Sequence, residues 1–96
     1  MSDIKTLHIL NKPPEHPRTQ QCLEALNPGD ALLLIENAVL AITMSVEAEV
    51  AVPVFALAPD VVARGLGQSP RGASASLVDF PVMVNLTASA QNVISW

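Results

Sequence analysis

Hydrophobic and polar residues alternate in blocks along the chain, and the block edges carry the turn chemistry. Ile4 to Leu10 is rich in apolar and β-favouring residues and stops at Asn11-Lys12-Pro13-Pro14, followed by Pro17, so the pattern predicts a strand and then a rigid loop. Thr19 is placed to cap a short helix in which Cys22, Leu23 and Leu26 share one face, ended by Asn27-Pro28-Gly29-Asp30. Ala31 to Ile35 has no polar alternation, which predicts a strand covered on both faces. Ala38 to Val52 carries mixed signals and is read as a short helix. Pro53 to Leu57 predicts a third buried strand, and Pro59 fits the first turn of a helix with Val61, Val62 and Leu66 on a stripe, ended by Gly65 and Gly67.

Gln68 to Ser74 has a loop's composition, and Ala75 to Val78 a strand's, closed by Asp79. Pro81 begins a further helix with Val82, Met83 and Leu86 facing inward, before Asn92 to Trp96 adds an edge strand. Strands alternating with helices over short connections predict a three-layer α/β architecture, a mostly parallel four- to five-stranded sheet with helices on both faces, in one domain over residues 1–96.

Composition adds a constraint that the pattern alone does not. Half of the 96 residues are hydrophobic, 15% are charged, and mean hydropathy is +0.39. A chain this short buries roughly 60–65% of the surface it exposes when unfolded, so that much apolar content points to an obligate subunit with part of its surface against a partner. The net charge of −4 lacks the basic footprint of a nucleic-acid binder. The longest apolar runs, Ala31 to Ile35 and Ala38 to Ile42, are too short to span a bilayer. The first residues lack the unbroken apolar core of a signal peptide, and one cysteine cannot form an internal disulfide. These features together predict a cytoplasmic protein.

Few residues suggest chemistry. Gly65-Leu66-Gly67 has Pro70 where a dinucleotide motif needs its third glycine, and it ends a helix instead of opening one. No phosphate loop or nucleophile elbow is present, and His8, His16 and Cys22 are too scattered to bind a metal, so neither cofactor nor metal is expected. His8, set among Leu7, Ile9 and Leu10, reads as a hydrogen-bonded structural imidazole. Cys22 is the candidate catalytic residue. With Thr19 as cap it would stand at the third helical position, where the helix dipole and Arg18 would favour the thiolate, a species that can accept and pass sulfur. The alternative is a small buried hydrophobe on the Leu23/Leu26 face, which spacing alone favours.

The chain as a whole resembles the DsrH/TusB family of small sulfur-relay subunits. The resemblance runs from Leu7-His8 through Gly29-Asp30-Ala31-Leu32-Leu33-Leu34 and Asn37-Ala38-Val39 to its sharpest stretch, Phe55 to Leu66, with its Leu-x-x-Asp-x-x-Ala-Arg-Gly-Leu core. Val78-Asp79-Phe80, Val84-Asn85-Leu86-Thr87 and Trp96 extend it. Pro13-Pro14, a short Met44 to Val52 region and Met83 before Val84 depart from the family pattern and bear on local loop geometry. The resemblance implies a DsrE/F/H-like fold and a heterohexamer with DsrE/TusD-like and DsrF/TusC-like subunits that moves persulfide sulfur between cysteines. That sulfur would serve 2-thiolation of the tRNA wobble uridine or, in the Dsr branch, oxidation of stored sulfur. Cys22 looks like the DsrH-type cysteine in the first helix, and the principal relay cysteine is in the DsrE/TusD-type partner. Cys22 is thus either a persulfide carrier or a packing residue in a subunit that completes the assembly.

Overall fold

The structure, a computed structural model, describes residues 4–43, 51–66 and 75–96. Five strands, β1 (Thr6–Leu10), β2 (Ala31–Leu34), β3 (Val54–Leu57), β4 (Ser76–Val78) and β5 (Asn92–Ser95), form one sheet in the order β4-β3-β2-β1-β5. Every neighbouring pair is parallel. Between them run α1 (Pro17–Glu24), a 3-10 helix (Glu36–Thr43), α2 (Ala58–Ala63) and α3 (Phe80–Ser89). The expected α/β sheet with helices on both faces is what these elements build.

The strand order explains which helix lies on which face. From β1 to β4 the chain steps across the sheet in one direction, so right-handed crossovers put α1, the 3-10 helix and α2 on one side. From β4 the chain returns across the whole sheet to β5 beside β1, which puts α3 on the other side. The two cores bear this out. Leu10, Leu32, Leu34 and Ala56 pack with Cys22, Val39, Ile42 and Val61 on the first face, while Leu7, Ala31, Leu33 and Val78 pack with Met83, Leu86 and Ala90 on the second. All four residues of β2 are buried, as its unbroken apolar run requires.

Three local expectations are corrected. The cap of α1 is His16, not Thr19: its Nδ1 accepts from the Arg18 N–H at 3.0 Å and Pro17 takes the first helical position. Thr19 is instead buried on the helix, with its hydroxyl donating to the Pro13 carbonyl at 2.7 Å. The expected helix after β2 is a 3-10 helix that begins earlier, at Glu36. Residues 44–50 of that segment, like the expected loop from Gln68 to Ser74, lie outside the described residues. Val62 and Val82 face outward, at 69% and 39% exposure, and the inner side of α3 is Met83 and Leu86, continued by Ala90 just past its end. A ten-residue helix with apolar side chains around most of its circumference leaves spacing little to choose between.

Candidate functional site

The sequence-derived site residue is Cys22, and α1 carries it straight into the core. Because the helix starts at Pro17, Cys22 is its sixth residue, beyond the first turn where the dipole acts on a thiol. It shares the inward side of α1 with Thr19, one turn earlier, and packs in the cluster that holds Leu10, Leu34 and Val39. The thiol is a free cysteine with no accessible surface. Burial pushes it up to about 12, the reverse of the shift expected at a helix N-terminus. At neutral pH Cys22 is therefore a protonated thiol, and its attack on a sulfur donor requires α1 to move.

Beside it on the same sheet face lies a polar network whose members come from far apart in sequence. His8 points to the α1 side of β1, one residue out of phase with Leu7 and Ile9. Its Nε2 is 2.9 Å from Oδ2 of Asp30, the residue that precedes β2, and both side chains are buried. The same oxygen accepts the Asn27 N–H at 3.0 Å, so the turn before β2 closes on this carboxylate. At the other ring nitrogen, Trp96 Nε1 donates to Nδ1 at 3.1 Å, with the two rings within 20° of parallel. Lys12 Nζ in turn donates to the Trp96 main-chain oxygen at 2.8 Å. Burial alone would raise the Asp30 pKa. The hydrogen bond from His8, the Asn27 N–H, the charge of His8 when protonated and the Thr6 N–H together outweigh it, and hold the carboxyl below 3.8.

A second polar group occupies the carboxyl ends of β2 and β3, the edge where open α/β sheets place their ligands. Glu36 has a positive φ of 51°, and its N–H is held by Asp60 Oδ2 at 2.7 Å. Arg64 reaches back from the end of α2 to Asn37 Oδ1, at 3.2 Å from Nε and 3.0 Å from Nη2, and donates to the Asp60 carbonyl at 3.3 Å. Asp60 and Arg64 are the polar residues of the Leu57 to Leu66 signature. Their work in the structure is to tie α2 to the start of the 3-10 helix.

The structure thus leaves His16 at the cap of α1, His8 in a buried network and Cys22 in the core, each apart from the others as a possible ligand set. The described residues contain no group of three His, Cys, Asp or Glu side chains that could hold a metal ion. Sequence reasoning identified His8 as structural but missed Asp30 and Trp96 as its partners. The available signal was the polar residue just before the Ala31 strand, which parallel pairing of Leu7 with Ala31 brings alongside β1.

Comparison with known proteins agrees over nearly the whole chain. A protein structure from E. coli, that of ychN, superposes with a TM-score of 0.76 at 17% identity, covering 97% of this chain and 99% of that one. The solution structure of Tm0979 from Thermotoga maritima gives 0.66 at 23% identity over 86% of this chain and 91% of that one. These likenesses concern the fold. By sequence, Protein TusB of Pectobacterium carotovorum is 35% identical and Protein TusB of Pectobacterium atrosepticum 30% identical, each over 94% of this chain and 99% of the relative. The family described as DsrH like protein matches residues 12–93. A β4-β3-β2-β1-β5 sheet, full-length TusB relatives and a family match that spans α1 to β5 lead to one conclusion: the chain belongs to the DsrH/TusB family.

Proposed function

We propose that this chain is a cytoplasmic subunit of a sulfur-relay complex, assembled with DsrE/TusD-like and DsrF/TusC-like subunits, that passes persulfide sulfur toward 2-thiolation of the tRNA wobble uridine. The observation that carries this reading is full-length similarity to proteins named TusB. Two physical features support it. The chain is acidic and serves a relay in which sulfur travels on protein thiols, so it need not grip RNA itself. Large apolar side chains remain exposed, Phe80 at 53% and Val84 at 58% on α3 among them, as in a subunit with partners.

Within such a complex Cys22 has two possible parts. As a carrier, its thiolate attacks the outer sulfur of a donor persulfide: an S–S bond forms at Sγ, the donor's S–S bond breaks, and the donor leaves as a thiolate with no net oxidation. As a packing residue, it fills the space under α1 while a partner's cysteine carries the sulfur. Its complete burial and raised pKa favour the second part. The test is to load the co-expressed complex with a persulfide donor and weigh this subunit beside its Cys22→Ala form. Unchanged mass, with sulfur on another subunit and normal tRNA thiolation by Cys22→Ala, is the expected result. Sulfur added to the wild-type subunit alone would restore Cys22 as a carrier. A chain that copurifies with no sulfur-relay subunit, and whose loss leaves tRNA thiolation unchanged, would overturn the function itself.

A further inference from the structure

All four residues of β5 are exposed, and among the described residues its single strand neighbour is β1. Main-chain bonds hold it, with the Asn92 N–H donating to the Lys5 carbonyl at 2.9 Å and the Trp96 N–H to the Ile9 carbonyl at 2.8 Å. The side-chain anchor at its end is the Trp96 indole on His8. That anchor depends on one protonation state. An ionised Asp30 only accepts, so His8 Nε2 must carry the proton that faces it at 2.9 Å. The neutral ring then has a lone pair at Nδ1, in the ring plane, where the Trp96 N–H is aimed from 3.1 Å. Adding a proton at Nδ1 sets two N–H groups against each other. The Trp96 bond is lost while the Asp30 contact becomes an ion pair.

We propose that His8, Asp30 and Trp96 form a proton-sensitive latch, closed while His8 is neutral and open once it is protonated, that controls how firmly β5 is held on the sheet. The charged groups around it are placed to spare the rest of the fold. Asp30 holds His8 from the turn before β2, and Lys12 binds the Trp96 main-chain oxygen from the loop after β1. Lys5, just before β1, donates its main-chain N–H to the Gly29 carbonyl beside Asp30. The strand neighbours of His8 in register, Leu32 and Ile94, are uncharged, and the Cys22 thiol of α1 is protonated. Acidification therefore loosens β5 first and leaves β1 paired with β2.

One tryptophan and two histidines make the latch directly readable. The full chain, alone or in its purified assembly, is labelled with ¹⁵N-tryptophan and ¹⁵N-histidine, and its spectra are followed from about pH 8 to about pH 5. Expected at the upper end is a His8 ring protonated at Nε2 and bare at Nδ1. On acidification the indole resonance moves with the His8 midpoint, and the exchange protection of the Trp96 amide falls by about tenfold while that of Leu33 holds. In Trp96→Phe the amide at that position is weakly protected throughout. A His8 ring protonated at Nδ1 at the upper end, or an indole resonance that stays still while His8 titrates, would overturn the latch. A His8 that stays neutral until the chain unfolds would overturn it as well. The wild-type titration needs no variant to fold.

Discussion

Burial acts on two titratable groups, Cys22 and Asp30, and decides opposite outcomes. Among the described residues Cys22 has no partner that favours its charge, so burial dominates and the thiol stays protonated, whereas Asp30 has enough donors to stay ionised. A disulfide-exchange reagent is expected to label Cys22 about a hundredfold more slowly in the native chain than in urea, a ratio that stopped-flow absorbance measures. Because the folded pKa of Asp30 is depressed, its stabilisation is complete above the unfolded carboxyl range and is lost as pH falls from 3.8 through the folded value. Asp30→Asn should therefore cost roughly 1–3 kcal/mol at neutral pH, with the gap to wild type closing below that range. Urea unfolding at both pH values checks the sign. At this scale, residue chemistry is partly legible: the strand around His8 marks a structural imidazole, but the hydroxyl of Thr19 points to the wrong cap for α1. A proline at the first helical position and an imidazole before it define the start better than a hydroxyl two residues later.

At the level of elements, proline and the capping residues set the boundaries. Asp79 accepts the Val82 N–H at 3.0 Å and Pro81 follows in the first turn, so α3 starts where its sequence says it should. Asp79→Ala is expected to cost about 1 kcal/mol, read as a shift in thermal midpoint with the fold retained. The same helix shows where pattern reading ends. Its run from Phe80 to Leu86 is apolar at most positions, so only the sheet decides that Met83 and Leu86 turn inward and Val82 does not. The segment after β2 was ambiguous for a related reason, since its register depends on contacts outside it. Glu36 enters that segment at a positive φ that its own side chain does not favour, and Asp60, 24 residues on, holds the N–H there. No local pattern carries a constraint of that range.

For the molecule as a whole, the excess of apolar residues and the parallel sheet were legible together, because a single short sheet cannot hide half its side chains. Most of the remainder is on α3 and β5, with Val62 on α2 and Leu77 on β4 outside them. From Phe80 to Trp96 the sequence contains no charged residue, and Phe80, Val84, Val93 and Ile94 stand exposed within it. Phe80→Asp combined with Val84→Lys should leave the chain folded, since both side chains point outward, yet abolish its recovery with the other relay subunits in a pull-down. The strand order has a further consequence during synthesis. β1 emerges from the ribosome early, but the strand that covers its outer edge, β5, is translated more than eighty residues later. Throughout that interval the nascent chain displays an open row of main-chain donors and acceptors, so β1 is the place where a nascent-chain chaperone or a mispaired neighbour would bind first.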